Sequence, residues 1–239
     1  MAVSKSSIVI HFLVKEIFTN HYSSGDSLMG ENELAKQLNV SRTSIRSALQ
    51  ALSNKGIISI VPKSGSVVNP SEDWNWLDSE VLSWTSEFKV DVKFIYHLMV
   101  TRLIFEPNVA AMAALNASAK DLALIEESYE MMAHGVAKEN REIVNEGDIN
   151  FHRALLAASH NPFLITLGDA LTAAMKALFE QTLEHDVCLS KPALAEHYDV
   201  MDAVRMRNSE SARSLMRAIV LGATKKTIGD DADFIKYIK

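Results

Sequence analysis

The run "ENELAKQLNVSRTSIRSALQALSNKGIISIVPKSGSVVNP", residues 31–70, carries three patterns whose order decides the fold of the first part of the chain. Leu34, Ala35 and Leu38 recur at helical spacing and mark the inner face of a short helix. Ser41 stands where its hydroxyl can cap the free amides of a second helix, whose apolar face is Ile45, Ala48, Leu49 and Leu52. Gly56 follows the last periodic residue, as a C-terminal glycine does. β-Branched residues then flank Pro62, Lys63, Ser64 and Gly65, which predicts a small hairpin. The order is helix, tight turn, helix, two-stranded wing.

Upstream, "SSIVIHFLVKEIFTNH" (6–21) places Ile8, Ile10, Leu13, Val14, Ile17 and Phe18 on a helical stripe, which "SSGDS" ends. The second helix of the pair presents donors on its outward, N-terminal part: Ser41, Arg42, Thr43, Ser44 and Arg46. Arginines there pair with guanine edges in the major groove, while hydroxyls and backbone amides contact phosphates. Lys63, with Gly65 in the same wing turn, adds a phosphate or minor-groove contact. Any one of these residues also fits a solvated helix face. Helices, donors and wing together point to DNA.

Charge supports the same division. Residues 1–70 hold seven Lys/Arg against four Asp/Glu, so the other 169 residues hold 17 against 26 of the totals of 24 and 30. A basic head on an acidic body suggests that only the head meets a polyanion. Apolar residues make up 48% and charged residues 23%, the balance of a globular protein. Few glycines and prolines say mostly helix. The single cysteine, Cys188, cannot form an internal disulfide, which fits a reducing cytoplasm. No apolar run reads as long enough to cross a bilayer, and "MAVSKSS" lacks a signal-peptide core, so no membrane partner is expected.

Over residues 5–70 the chain resembles the winged-helix head of the GntR family of bacterial transcription regulators, on the strength of "NVSRTSIRSALQALSNKGII" and the wing. One departure stands out. The family often has Pro-Ser-Glu-Arg before its second helix, whereas this chain has Met29 to Asn32, "MGEN". The arginine expected at position 32, a frequent DNA contact, is Asn32.

"PSEDWNW" (70–76) joins the head to an almost wholly helical remainder. Helices are predicted near 78–87, 91–115, 119–137, 140–158, 161–185, 190–207 and 209–227. "SAKD" (118–121) and "NSES" (208–211) read as helix starts, and Pro107 should kink the long 91–115 pattern. The fold expected is mainly α: a winged helix-turn-helix domain at 1–70, a linker at 71–77, an all-helical antiparallel bundle at 78–229 and a tail at 230–239.

A helical bundle builds its ligand sites from inward side chains of facing helices. In "GDINFHRALLAASHN" (147–161), Asp148 and His152 are one turn apart on one face. His197 in "LAEHYDVMDAVRMRN" shares an inward stripe with Ala193, Met201 and Val204. Three such ligands from two helices can bind a divalent ion and leave positions open. They can equally be packed, hydrogen-bonded side chains. Arg102 has two readings as well: a bidentate clamp for a ligand carboxylate, or an ion pair with Glu106 four residues on. His185 and Cys188 in "EHDVC" read as incidental.

The body is similar to the all-helical FCD effector domain of the FadR-type branch of the family, across 78–227. "RLIFEP" with Arg102, "DINFHRALLAASHNP", "AEHYDVMDAV" and "SARSLMRAI" carry the likeness. The resemblance implies that Asp148, His152 and His197 match three of four ligands to a metal of the Zn, Ni or Mn class, whose open face takes an effector carboxylate. The fourth ligand, a histidine in a Met-Arg-Ala-His-Leu context, is Ile219 in "MRAIV". Either three protein ligands hold the ion together with water or effector, or the polar side chains bind the effector without an ion.

"WNWLDSEVLSW" (74–84) and "VNEGD" (144–148) resemble segments in regulators of sugar-acid catabolism, the galactonate-responsive group among them. The implied effector is an aldonate such as galactonate. Asn150, Thr182 and Tyr198 are candidate partners for its hydroxyls. The function expected is a cytoplasmic, homodimeric repressor that reads an inverted-repeat operator and is released by this carboxylate. Rivals are a metal-dependent hydrolase or lyase on Asp148, His152 and His197, a regulator sensing the metal itself, and one sensing another carboxylic acid.

Overall fold

In a computed structural model the described residues are 4–61, 65–88, 92–182 and 190–228. The chain divides into two compact units, Met1–Val90 and Asp91–Lys239. Lys63, His185, Cys188 and the tail at 230–239 lie outside the described residues.

The first unit begins with α1 (Lys5–Phe18), α2 (Glu31–Leu38) and α3 (Arg42–Asn54). An antiparallel pair follows, β1 (Ile58–Val61) and β2 (Gly65–Val68), with Ile58 opposite Val68 and Val61 opposite Gly65. Ser41 caps α3 as expected, its side chain accepting from the Ser44 amide at 3.1 Å. Asn39 takes the left-handed conformation at φ 51°, which asparagine tolerates better than most residues, and so makes the turn between α2 and α3. Gly56 at φ 74° makes the corresponding turn out of α3.

Leu34, Ile45, Ala48, Leu49 and Leu52 are buried together with Leu13, Val14 and Ile17, so the α2 and α3 faces read from the sequence are the core faces. On α1 the expected stripe holds at Leu13, Val14 and Ile17, with Ile10 and Phe18 partly buried against the same core, and departs at its start. Val9 is fully buried and Ile8 is 40% exposed, because the run of three apolar residues Ile8–Ile10 does not fix its own register.

Helix α4 (Ser79–Glu87) belongs to this unit: Val81, Trp84 and Phe88 join the core built by α1 and α3. Phe18 packs on both Phe88 and Trp74, at 5.9 and 5.2 Å between ring centres. The Lys55 ammonium at the end of α3 grips Asp78 and Glu80, each at 2.7 Å. The aromatic segment after the wing is therefore a structural part of the head.

The second unit comprises α5 (Val92–Asn116), α6 (Ala119–Ala137), α7 (Arg141–Ala158), α8 (Pro162–Thr182), α9 (Ser190–Arg205) and α10 (Ser209–Ile228). Ser118 and Asp121 form a capping box at the start of α6, and Asn208 accepts from the Ser211 amide ahead of α10. Helix α5 runs through Pro107 and is packed along α10, while α6 packs along α7.

The window Lys93–Asn116 is apolar and long enough to cross a membrane, which corrects the sequence expectation that no such run exists. Its surroundings identify it as the core helix of this unit. Most of that window is buried, including Arg102 and Glu106, and Met99, Ala110 and Ala113 are closed off completely.

Candidate functional site

The exposed N-terminal part of α3 is the candidate DNA-reading surface. Ser41, Arg42, Thr43 and Arg46 are exposed and Ser44 half-buried, on the side opposite the buried Ile45, Ala48 and Leu49. The Ser41 and Ser44 hydroxyls lie 2.9 Å apart within the helix cap. Arg46 donates through Nε to Glu31 Oε2 at 2.9 Å, which ties the side chain to the start of α2. Asn32, where the arginine was expected, is exposed on the same short helix. Gly65 opens β2 at φ 94°, and a β-carbon added there would meet nothing within 4 Å.

The second candidate site lies where α5, α7 and α9 meet. Asp148 and His152 come from one face of α7, His197 from α9, and Arg102 and Glu106 from α5. One oxygen or nitrogen from each of Asp148, His152 and His197 falls within 4.8 Å of the other two. His197 Nε2 is 3.0 Å and His152 Nε2 3.9 Å from Asp148 Oδ1. The two imidazoles stand edge to face, 5.7 Å between centres, with the fully buried Phe151 ring 5.0 Å from His197 as the floor.

Each histidine has its other nitrogen engaged. His197 Nδ1 faces the Ala193 carbonyl at 2.7 Å, and His152 Nδ1 faces Glu106 Oε2 at 3.0 Å. Both Nε2 atoms are thereby turned toward Asp148. Despite its 3.0 Å approach, His197 Nε2 makes no aligned hydrogen bond, and it is fully buried. An orphaned nitrogen beside a carboxylate is the arrangement that a shared cation would complete.

The electrostatics agree with a site that concentrates charge. Burial works against ionising Asp148, but His197, His152 and Arg102 outweigh it and hold its carboxyl below the usual range. Burial likewise opposes charge on His197, and the Asp148 carboxylate overcomes it, raising the imidazole above its ordinary value. Glu106 is pulled down to about 2: desolvation is overcome by Arg102 and His152.

Arg102 is 2% exposed and bound to Glu106 through Nε at 2.6 Å and Nη2 at 3.2 Å. The ion-pair reading of Arg102 is thus present in the structure, next to the acid–histidine cluster. Among the described residues its Nη1 meets only the Met99 sulfur, at 4.0 Å.

Other residues proposed from the sequence are placed elsewhere. Asn150 is two positions from Asp148, about 200° around the helix, and faces the opposite side of α7. There its amide approaches Met131 Sδ at 3.8 Å and lines a cleft of about 420 Å³ with Leu124, Arg153, Ala157 and Ile165. That cleft holds none of the acid–histidine cluster. Tyr198 is 45% exposed and packs on Tyr129, 5.7 Å between centres. Thr182 ends α8, and its side chain lies outside the described residues. Ile219 is buried on α10 and brings no donor atom. Glu106 was legible only as the partner of Arg102; its contact with His152 joins two helices and leaves no mark in local spacing.

Comparison with known proteins agrees with both parts. Residues 5–68 match the family described as bacterial regulatory proteins, gntR family, and residues 97–222 match the FCD domain. The galactonate operon transcriptional repressor of Escherichia coli K12 is 33% identical over 227 residues, covering 95% of this chain and 98% of its own length. The transcriptional repressor NanR of Klebsiella aerogenes is 29% identical over 231 residues, covering 94% and 86%. Among solved structures, Lar, described as controlling the agr system of Listeria monocytogenes, aligns with a TM-score of 0.66 at 20% identity, covering 95% of this chain and 98% of that one. A GntR protein of Streptococcus agalactiae aligns at 0.52 and 21%, covering 92% and 97%. These two likenesses concern the fold.

The hydrolase or lyase alternative has no place in this set, since it leaves the head unexplained and every family match is to a regulator. A DNA-reading head is followed by a helical domain whose acid–histidine cluster suits a ligand, and the chain belongs to the GntR family as an FCD-domain transcriptional regulator, not an enzyme.

Proposed function

We propose that the chain is a homodimeric, cytoplasmic repressor of a sugar-acid catabolic operon, released from an inverted-repeat operator by a carboxylate effector such as galactonate. The observation that carries this reading is the buried cluster itself. Asp148, His152 and His197 converge with an orphaned Nε2, beside an arginine closed off from solvent. The likeness to the galactonate operon repressor of Escherichia coli supports the sugar-acid class.

Asp148, through its carboxylate, and His152 and His197, through Nε2, would hold a divalent cation. Ligand atoms on one ion at about 2.0–2.2 Å stand roughly 3–4 Å apart, as the Asp148–His197 and Asp148–His152 distances do. A bound cation supplies a positive charge that anchors an anionic effector. Ile219 contributes no fourth ligand, so more of the coordination sphere falls to effector and water. Arg102 adds cationic potential from α5.

Ser41, Arg42, Thr43, Ser44 and Arg46 read the operator, with Lys63 and Gly65 at the wing contacting backbone or minor groove. Two-fold symmetry sets two such helices on the two half-sites. Effector binding lowers operator affinity through a coupling free energy, and about 1.4 kcal/mol is enough for tenfold release.

Thermal-shift measurements with aldonates, uronates, fatty acids and dicarboxylates test the effector class, paired with operator release in a fluorescence assay. A sugar acid should both stabilise the protein and release DNA. Stabilisation by a fatty or dicarboxylic acid alone would refute the sugar-acid reading.

A further inference from the structure

His152 and His197 present the same nitrogen to Asp148, but they are held in that pose by different means. His197 Nδ1 meets a backbone carbonyl, Ala193, one turn earlier on its own helix. That acceptor is there whatever the side chains are. His152 Nδ1 meets a side chain from another helix, Glu106 of α5, at 3.0 Å.

A neutral imidazole carries one N–H, and the partner of one nitrogen decides which nitrogen is left with a lone pair. An ionised carboxylate can only accept. Glu106 therefore makes Nδ1 the donor and leaves Nε2 as the acceptor atom. The carboxylate itself has no freedom to turn, because Arg102 holds both oxygens, Oε1 at 2.6 Å and Oε2 at 3.2 Å. Glu106 and His152 are 5% and 4% exposed, so water does not offer His152 an alternative partner. An ordinary i,i+4 ion pair on α5 would account for Arg102 and Glu106. It would not account for His152 Nδ1 of α7 standing 3.0 Å from Oε2.

We propose that Glu106 is the positioning residue of the Asp148–His152–His197 site: it fixes His152 in the tautomer that turns Nε2 into the space shared with Asp148 and His197, and so sets the site's affinity for a divalent cation. The affinity part rests on the cation reading given above; the tautomer part does not. Partners of this kind in metal sites typically change affinity by about 10–100-fold when removed.

The test uses the full-length chain, with the variants Glu106→Gln, whose amide oxygen still accepts, and Glu106→Leu, which accepts nothing. Long-range ¹H–¹⁵N NMR on the metal-free wild type is expected to show the neutral His152 ring carrying its proton on Nδ1. Competition with a chelating dye then reports Zn²⁺ affinity. Glu106→Gln should keep the tautomer and lose less than about tenfold in affinity, while Glu106→Leu loses the tautomer and about 10–100-fold.

A wild-type His152 protonated on Nε2 overturns the proposal, and that measurement stands alone if Glu106→Leu does not fold. A folded Glu106→Leu protein binding Zn²⁺ as the wild type does also overturns it. Should the tautomer be as expected while the wild type takes up no Zn²⁺, the cation reading fails and Glu106 keeps its hold on the ring.

Discussion

Gly147 of α7 lies so close to Met132 of α6 that a β-carbon on it would come within 2.7 Å of the Met132 backbone nitrogen and 3.1 Å of its Cα. Gly135 returns the contact: a β-carbon there would meet the Val144 nitrogen at 2.7 Å. One glycine on each helix thus brings α6 and α7 together backbone to backbone. Asp148 is the next residue after Gly147, so the same contact sets how far the cluster's carboxylate reaches.

Gly147→Ala should therefore force the helices apart, since backbone atoms cannot move aside as a side-chain end can. The expected cost is about 1–3 kcal/mol, read as a lower denaturation midpoint, with weaker effector or cation binding alongside. Gly222→Ala on α10 is the control. Nothing lies within 4 Å of its would-be β-carbon, so the change should be neutral or stabilise by up to about 1 kcal/mol. A Gly147→Ala protein that melts with the wild type would show that the close approach costs nothing to open.

Helix α6 was legible to the residue because Ser118 and Asp121 write its start into adjacent positions. The α3 core face was equally plain, since four apolar residues recur there with polar ones between. Local patterns failed where apolar residues run together, as at Ile8 and Val9, because continuous hydrophobicity has no phase. In the site, Asp148 and His152 were visible as a one-turn pair, and so were Arg102 and Glu106. Which pair faces which was not visible, because the Glu106–His152 and Asp148–His197 contacts join helices more than forty residues apart in sequence. Asn150 was assigned to the effector by chemistry alone, although helix geometry turns it away from Asp148.

On α3, Arg42 is exposed and Arg46 is tied to Glu31. Arg42→Ala and Arg46→Ala are each expected to weaken operator binding, and loss of a phosphate contact should lower the salt slope by about 1. A base contact instead costs about 1–3 kcal/mol of discrimination against the wrong sequence. Glu31→Gln releases Arg46 and should raise affinity for non-specific DNA. Fluorescence anisotropy against salt concentration separates these effects. Unchanged specific binding in both arginine variants would remove α3 from the DNA interface.

Asp121 gives the bundle an acid-sensitive cap. The Ser118 hydroxyl, then the Ser118 amide and the His160 ring, outweigh a modest burial effect and hold its carboxyl down to about 2, against an ordinary 3.8. A carboxyl depressed in the folded state stabilises fully above its unfolded value and loses that contribution as pH falls through the folded one. The window runs from about pH 4 to about pH 2. Asp121→Ala should cost about 1 kcal/mol above pH 4, and denaturant titrations should show the wild type and variant converging toward pH 2. A gap that stays constant through the window would mean that the cap does not contribute in its charged form.

Arg102 requires a design that separates effector binding from folding. Removing it alone strands the ionised Glu106 in the bundle interior, and breaking a buried pair from one side costs about 3–5 kcal/mol. An unresponsive Arg102→Met protein would then be explained by instability as easily as by a missing contact. The double variant Arg102→Met/Glu106→Leu removes both charges at once and is expected to recover most of that stability, since an apolar pair can replace a buried ion pair at little cost. Because Glu106 also meets His152, a double variant that folds, binds operator as the wild type does and fails to release it at aldonate concentrations that release the wild type would assign the effector response to the Arg102–Glu106 pair together. A compensating result, in which the double variant responds normally to aldonate, would confine Arg102 and Glu106 to holding α5 in the bundle.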